Sequence, residues 1–128
     1  MTEDAALDIL AIQDLCARYC LVSDDDDMEA YGALFTPDGE MHAFRQVWKG
    51  REEIVAHISR ADSGLHMAGM PTISVNGDCA SGRQNFVFVE KEGHGLRLGH
   101  YLDEYVRTDD GWCFAVRKIV FMKSTPPG

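Results

Sequence analysis

A single histidine, His66, stands near the start of a long apolar stretch that runs from residue 64 to residue 73. A neutral imidazole has a pKa near physiological pH, so it can take a proton from carbon when its ring is well oriented. A histidine in an apolar strand can equally be a core residue whose ring nitrogens are hydrogen-bonded. His66 is therefore a candidate general base, with a structural core histidine as the alternative.

The four consecutive aspartates at residues 24–27 contain a second candidate. Residues 25–27 are typical of the solvated end of a helix. Asp24 differs because it continues the row of Cys16 and Cys20 at steps of four residues, on the buried side of the predicted first helix. A carboxylate in that position can fix the tautomer of a histidine and stabilise its protonated form.

Arg117 is the third candidate. Strand alternation places it on one face with small or apolar residues, namely Cys113, Ala115, Ile119 and Phe121. An arginine there can stabilise a leaving group or an oxyanion, or it can be the structural partner of an acidic residue. A three-residue loop at 109–111 would place Thr108 opposite Trp112. The same register sets Asp103 opposite Arg117, where the two would form a buried ion pair, and both roles stay open.

Two tyrosines are candidates for substrate binding. Tyr19 lies on the side of the first helix that is predicted to face the pocket. Tyr101 is two residues before Asp103, so strand alternation places both on the same face of the sheet. Either phenol could donate a hydrogen bond to a substrate oxygen, or be a core aromatic with a satisfied hydroxyl. Among the other histidines, we expect His57 and His94 at the surface and His100 on the outer face of the sheet.

These residues must be positioned by helices in the first half of the chain. Apolar periodicity of three and four residues predicts helices over residues 3–23, 27–35 and 51–61. Asp26 followed by Glu29 is typical of a capping box that starts the second helix. The turn residues at 36–39 predict its end.

The second half of the chain has the pattern of β-strands. Strands are predicted over residues 65–75, 79–91, 96–107 and 112–122, after a short strand at 40–44. Asn76-Gly77-Asp78 is a strong hairpin signal. Helices followed by a meander of strands predict an α+β fold, with helices on one face of a curved antiparallel sheet. We expect a single domain over residues 1–128, in which residues 123–128 form a loose tail.

The composition and charge of the chain disfavour several classes of binding partner. The net charge is −9, with 12 scattered basic residues, which disfavours nucleic acid as a partner. No apolar run approaches the roughly 20 residues of a membrane span. The four cysteines show no metal-binding spacing, so we expect no metal or other cofactor and predict buried thiols in a reducing cytoplasm.

The outer face of the predicted sheet is also apolar. Strand alternation places on it Leu98, Leu102 and Val106 together with Trp112, Phe114, Val116 and Val120. An apolar face that the chain's own helices leave uncovered predicts a homodimer or homotrimer.

Several motifs together resemble the SnoaL-like branch of the nuclear-transport-factor-2-like superfamily, a cone-shaped α+β fold. The matching stretches are Ile12-Gln13-Asp14-Leu15 with Arg18-Tyr19, Leu34-Phe35-Thr36-Pro37-Asp38-Gly39, Gly50-Arg51-Glu52-Glu53-Ile54, His66, Asn76-Gly77-Asp78-Cys79-Ala80, Gly99-His100-Tyr101-Leu102-Asp103-Glu104 and Arg107-Thr108-Asp109-Asp110-Gly111-Trp112. The resemblance covers nearly the whole chain. It implies a cone-shaped barrel of a curved antiparallel sheet covered by three N-terminal helices.

The resemblance also implies a catalytic arrangement. Scytalone dehydratase, bile-acid dehydratase and hexachlorocyclohexane dehydrochlorinase use a His–Asp pair, and Asp24 and His66 match its positions. Arg117, five residues after Trp112, matches an arginine of the dehydrochlorinase. The second catalytic histidine of scytalone dehydratase has no counterpart, since the corresponding position lies near Glu90.

The implied function is a cofactor-independent lyase or isomerase. His66, held by Asp24, would remove a proton next to an activating group. Arg117, with Tyr19 or Tyr101, would stabilise the leaving group or enolate. The substrate would be a small hydrophobic molecule, and a polycyclic compound is within this class. The alternatives are a non-catalytic ligand-binding or polyketide-cyclase-like module, and an oligomeric interaction module whose cone is filled by side chains.

Overall fold

A computed structural model describes residues 1–122, so the predicted loose tail at 123–128 lies outside the described residues. The helices are α1 (Glu3–Asp24), α2 (Met28–Ala33) and α3 (Gly50–Ile58). The strands are β1 (Phe35–Ala43), β2 (Gln46–Lys49), β3 (Gly64–Ala68), β4 (Thr72–Asn76), β5 (Cys79–Glu90), β6 (Leu96–Thr108) and β7 (Gly111–Phe121). The α+β architecture predicted from the sequence is confirmed.

The sheet is curved and does not close. Its strand order is β2-β1-β7-β6-β5-β3, and β4 pairs with β5 beside β3. The predicted curved sheet covered by three N-terminal helices is confirmed, and no pairing within residues 1–122 joins its two ends. The sheet is also not wholly antiparallel, since β1 runs parallel to β7. Helices 1 to 3 pack on the concave side, where α1 contacts β3, β4 and β7.

Helix α1 begins at a cap and carries one buried stripe. The side chain of Thr2 accepts a hydrogen bond from the backbone N–H of Ala5 at 3.1 Å, which satisfies a free donor of the first turn. The buried positions are Ile12, Leu15, Cys16, Tyr19 and Cys20. This row agrees with the predicted apolar stripe and directs the last turn of the helix towards the sheet.

The start of α2 differs from the predicted capping box. Asp27, rather than Asp26, accepts a hydrogen bond from the backbone N–H of Ala30 at 3.1 Å. Asp26 has a positive φ of 54° and forms the reversal between α1 and α2. Residues 36–39, predicted as a turn, belong to β1, because the pairing of Phe35 with β7 keeps the chain extended through a local irregularity.

The predicted strand at 65–75 is two strands. β3 and β4 both pair antiparallel with β5. Between them lies Gly69-Met70-Pro71, where proline lacks the N–H that a continuous ladder requires. The break sets β3 apart as a short segment that carries His66.

The β6–β7 hairpin reaches the predicted pairing by a different route. Thr108 pairs with Gly111, so the loop has two residues rather than three. A bulge at Ala115 then shifts the register, and Asp103 pairs with Arg117 as predicted. Because the bulge inverts the alternation, Trp112 and Phe114 lie in the core and not on the outer face.

The core lies between the helices and the concave face of the sheet. Its members are Ile12, Leu15, Cys16, Tyr19, Cys20, Tyr31, Leu34, Phe35, Met41, Ile54, Ala80, Phe86, Phe88, Tyr101, Tyr105, Trp112 and Phe114. Within the described part of the chain, no helix has the length and apolar character needed to cross a bilayer.

Candidate functional site

A cavity of about 90 Å³ opens at one end of the core. Its walls are Tyr19, Ser23, Asp26, Ala43, Phe44, His57, Ile58, Ala61, Asp62, His66, Phe86, Phe88, Arg97, Tyr101, Ile119 and Phe121. Tyr19 and Tyr101 form its buried end, whereas Phe44 is 57% exposed and marks the mouth. Half of the lining residues carry aromatic rings, and polar groups lie both at the buried end and near the mouth.

Asp24 and His66 are in direct contact. The distance from His66 Nδ1 to Asp24 Oδ1 is 2.7 Å. The backbone N–H of His66 also donates to both carboxylate oxygens, at 3.0 and 3.1 Å. The side chains are only 17% and 16% exposed. One carboxylate therefore holds both the strand and the ring of His66.

This contact determines which ring nitrogen carries the proton. An ionised carboxylate only accepts hydrogen bonds, so neutral His66 must carry its proton on Nδ1. Nε2 then has a free lone pair, and it has no hydrogen-bond partner within residues 1–122. Burial lowers the pKa of His66, although the hydrogen bond and charge of Asp24 act to raise it. The neutral, proton-accepting form is thereby favoured at physiological pH.

The end of α1 explains how Asp24 reaches His66. Asp24 is the last residue of the helix, and the backbone N–H of Asp25 closes the final turn onto Leu21. An acidic side chain is unfavourable at a helix C-terminus, where the dipole is negative. The hydrogen bonds from His66 compensate for this cost. Asp24 is thus stabilised by its contacts with His66, although its position is unfavourable for α1 alone.

Tyr19 and Tyr101 both lie on the cavity wall. The Tyr31 hydroxyl donates to Tyr19 Oη at 2.9 Å, which leaves the hydroxyl proton of Tyr19 available. The Tyr101 hydroxyl has no hydrogen-bond partner among the described residues. The Tyr19 ring also stands edge-on to His66, with centroids 6.1 Å apart. Both phenols can donate to an oxygen in the cavity.

Arg117 is completely buried and does not line the cavity. Its guanidinium donates to the two carboxylate oxygens of Asp103 at 2.8 and 3.0 Å, and to Gln84 Oε1 at 3.0 Å. These contacts agree with the alternative in which Arg117 is the structural partner of Asp103. They occupy the guanidinium, which does not touch the cavity. Burial acts to lower the pKa of Arg117, but Asp103 raises it well above the ordinary value.

The charge of Arg117 nevertheless lies directly behind the cavity wall. Its Cζ is 3.6 Å from the ring centroid of Tyr101 and 4.2 Å from that of Tyr19. Burial raises the pKa of Tyr101, while the positive charge of Arg117 opposes that rise. Arg117 can therefore polarise the two phenols without touching the ligand.

Sequence reasoning did not identify Gln84, which links Arg117 to the corner between β3 and β4. Its Nε2 donates to the carbonyl of Gly69 at 2.8 Å, and its side chain is 4% exposed. A glutamine on the same face as apolar Phe86 and Phe88 was the available signal, because a buried amide needs partners.

The histidine expected at the surface, His57, lies instead on the cavity wall. Its ring stacks on Trp48 with centroids 3.6 Å apart and planes 11° apart. Arg97, near the mouth, forms ion pairs with Asp62 and Glu90. Neither residue belonged to a motif, and only the packing of α3 and β6 around the cavity brings them to it.

No group of three or more His, Cys, Asp or Glu side chains within residues 1–122 is arranged to hold a metal ion. The cavity itself presents two imidazoles and two phenols. Such side chains transfer protons and donate hydrogen bonds, so the chemistry that the arrangement offers is general acid–base chemistry.

Several solved structures are similar to this chain over 95% or more of its length. Rv3472 from Mycobacterium tuberculosis, a protein of unknown function, is 30% identical with a TM-score of 0.88, over 95% of this chain and 76% of that one. An NTF2-like protein with a cystatin-like fold from Novosphingobium aromaticivorans is 27% identical with a TM-score of 0.86, over 96% and 87%. A candidate scytalone dehydratase from the same species is 22% identical with a TM-score of 0.84, over 100% and 93%.

The last of these similarities shows the fold alone. A comparison with curated proteins finds no match. The sequence profile of the SnoaL-like domain matches residues 4–118, which is most of the chain. The protein therefore belongs to the family of SnoaL-like domains.

Proposed function

We propose that the protein is a cofactor-independent lyase or isomerase in which His66 removes a proton from carbon. The observation that carries this proposal is the 2.7 Å contact between His66 Nδ1 and Asp24. It leaves Nε2 as the proton acceptor on a residue of the cavity wall.

In the proposed step, His66 Nε2 takes a proton from a carbon next to a carbonyl group, and the electrons of the C–H bond form an enolate. Tyr101 and Tyr19 donate hydrogen bonds to the enolate oxygen. Arg117 acts through these phenols, because it lies behind their rings. Asp24 stabilises the imidazolium that forms. The catalytic groups are then His66 and the tyrosines, while Asp24 and Arg117 are positioning residues.

The proposed substrate is smaller than the resemblance alone implied. The cavity of about 90 Å³ is well below the roughly 300–1,000 Å³ of typical ligand pockets. It is also smaller than an engineered cavity of about 150 Å³ that holds benzene. A polycyclic substrate would lie largely outside the enclosed space. A single ring fits only with part of it in the open mouth, so we propose a small monocyclic or acyclic carbonyl compound.

The proposal is tested by proton exchange, which does not require knowledge of the natural product. Cyclohexanone is incubated with the protein in D₂O, and loss of the α-proton signal is followed by ¹H NMR. Wild-type protein should accelerate the exchange, and His66→Gln should lower the enzymatic rate by about 10²-fold or more. His94→Gln, in the turn between β5 and β6, is the matched control and should exchange like wild type.

Full exchange activity in His66→Gln would overturn the proposal. If cyclohexanone perturbs the NMR signals of cavity residues but wild type does not accelerate exchange, the protein is a binding module, which was the alternative. A filled cone was the third possibility. It disagrees with the open cavity at His66, and it predicts neither binding nor exchange.

We also propose that the protein is a homodimer or homotrimer formed through the outer face of the sheet. Leu98, Leu102 and Val120 are 38%, 40% and 38% exposed there. Arg83 and Lys118 occupy one cross-strand row and Glu104 the adjacent row. In the proposed dimer, a two-fold axis pairs Arg83 and Lys118 of one copy with Glu104 of the other.

The cysteines support a reducing compartment. All four are free, and Cys16 and Cys20 lie in the buried stripe of α1. Buried thiols without disulfide partners are typical of proteins in the cytoplasm. We therefore propose a cytoplasmic location, which fractionation of the native host would test.

A further inference from the structure

We propose that His57 is a second proton-transfer residue, which protonates the leaving group after His66 has removed the proton from carbon. This inference rests on the proposed function and deepens it. It identifies the reaction as an elimination of a poor leaving group, such as hydroxide, from a small β-hydroxy carbonyl compound. An isomerisation does not need a separate group for a departing oxygen, whereas elimination of hydroxide does.

The position of His57 carries the argument. It lies in the last turn of α3 and lines the same cavity as His66, which is on β3. The fully buried Ile54, one turn earlier, anchors α3 in the core. The two imidazoles thus approach one cavity from different elements, a helix and a strand. We infer that a ligand in this cavity contacts both histidines.

Stacking fixes the orientation of the His57 ring, whereas its two nitrogen atoms have no partner among the described residues. Stacking on Trp48 at 3.6 Å and 11° restricts the ring orientation. Neither ring nitrogen has a hydrogen-bond partner within residues 1–122. A structural histidine normally uses its nitrogens to bind neighbouring groups, as His66 uses Nδ1. Here only the face of the ring has a partner, and the nitrogens remain available to a ligand.

The proposed reaction balances in atoms and charge. Nε2 of His66 takes the α-proton, and the C–H electron pair forms the enolate. The enolate electrons then form the carbon–carbon double bond while the C–O bond at the β-carbon breaks. The imidazolium of His57 gives its proton to the departing oxygen, so water and an unsaturated ketone are released. Solvent returns a proton to His57 and removes one from His66.

The surroundings of His57 set the pH range of this step. Its partial burial, followed by the charge of Arg60, lowers the pKa of His57 from its ordinary value of 6.5. The other charged or titratable groups on the cavity wall are Tyr19, Asp26, Asp62, His66, Arg97 and Tyr101. Because His57 must be protonated, the elimination of hydroxide should slow as the pH rises above this lowered pKa.

Leaving groups of different basicity provide the test. The variant is His57→Gln, and His94→Gln is the control. Two substrates are compared, 3-hydroxycyclohexanone and 3-acetoxycyclohexanone, since acetate departs without protonation. Formation of cyclohexenone is followed by its ultraviolet absorption, and thermal unfolding of each variant confirms that it is folded.

His57→Gln should lose about 10²-fold or more in the elimination of hydroxide, yet retain the elimination of acetate and the α-proton exchange of cyclohexanone. The control should match wild type in all three reactions. Equal rates of hydroxide elimination in His57→Gln and wild type would overturn the inference. An equal loss in all three reactions would also overturn it, because it would indicate a structural role.

The two proposals fail in different ways. If wild type exchanges the α-proton of cyclohexanone but does not eliminate hydroxide from 3-hydroxycyclohexanone, the role of His57 is wrong and the proposed function stands. If wild type does not accelerate exchange, the proposed function fails and the inference fails with it.

Discussion

At the scale of single residues, Asp24 performs two tasks with one carboxylate. It accepts the backbone N–H of His66 and also binds ring atom Nδ1. The same contact therefore positions β3 and selects the tautomer of the base. An acidic residue at the negative end of a helix dipole destabilises the helix. The contact with His66, and not the stability of α1, therefore explains the aspartate at this position. His66 in turn packs against Phe88, with ring centroids 4.7 Å apart.

The lowered pKa of His66 predicts a pH profile for proton exchange. Burial, only partly offset by Asp24, keeps the pKa below the ordinary value of 6.5. His66 must be neutral to act as a base, so the rate of cyclohexanone exchange should fall at low pH with a midpoint below 6.5. A pH titration of the exchange rate measures this, and a midpoint above 6.5 would contradict the prediction.

The same shift affects stability in a defined direction. Because the unfolded chain binds a proton to His66 more readily, the neutral residue contributes stability that is fully present above its unfolded pKa of about 6.5. That contribution is lost as the pH falls through the lower folded-state pKa. Chemical unfolding at a series of pH values should show the free energy of unfolding decreasing in this range, and less so in His66→Gln.

Arg117 allows a prediction about the buried ion pair. Arg117→Met should lower the free energy of unfolding by about 3–5 kcal/mol, because it leaves the charge of Asp103 buried without its partner. The double variant Arg117→Met with Asp103→Leu should be more stable than the single variant, since no buried charge remains. Urea unfolding measures both. A single variant as stable as wild type would show that the pair contributes nothing.

At the scale of elements, the site depends on how closely β3 packs on β5. A Cβ atom at Gly64 would lie 2.2 Å from the carbonyl oxygen of Val89, so only glycine permits the observed separation. Gly69, just beyond the other end of β3, has no atom closer than 3.9 Å to the same position. The first glycine is required by packing, and it stands two residues before His66.

Gly64→Ala should therefore destabilise the protein by about 1–3 kcal/mol, the usual cost of overpacking. It should also weaken the contact between His66 and Asp24, because β3 must move away from β5. Urea unfolding and the ¹H–¹⁵N NMR signal of the His66 Nδ1 proton measure the two effects. Gly69→Ala is the matched control, and equal stability of the two variants would contradict the explanation.

At the scale of the whole molecule, the two faces of the sheet have different partners. The concave face is covered by the helices and encloses the core and the cavity. The outer face has an apolar half around Leu98 and Val120, beside cross-strand rows of opposite charge. Because of the bulge at Ala115, Trp112 and Phe114 lie in the core and not on this face. The face is still apolar around Leu98 and Val120.

The proposed self-association predicts that Leu98→Glu shifts the protein towards monomer, since a carboxylate would be buried in the interface. Leu10→Glu is a suitable control, because Leu10 is 60% exposed on α1, away from the outer face. Sedimentation velocity measures the distribution of species. Monomeric wild type, or equal distributions in both variants, would show that the outer face is not an interface.

Much of the fold was predictable from periodicity. Apolar spacing located α1 and placed Asp24 on its buried row, and turn residues located β5, β6 and β7 to within about two residues. The pairing of Asp103 with Arg117 was also predicted. It was reached from a wrong loop length, because the bulge at Ala115 compensates for one missing loop residue. Alternation alone contains no signal for such a bulge.

The sequence by itself determined which side of α1 and of most strands faces the core, because burial follows from local helix and strand periods. Trp112 and Phe114 are exceptions, since the bulge at Ala115 inverts the alternation before it. Only the tertiary structure decided which of them meet. Asp24 and His66 are far apart in the chain, and their contact depends on where α1 ends over the curved sheet. The volume of the cavity and the position of His57 depend on side-chain packing among several elements. Those properties arise from long-range contacts, which no local pattern of residues encodes.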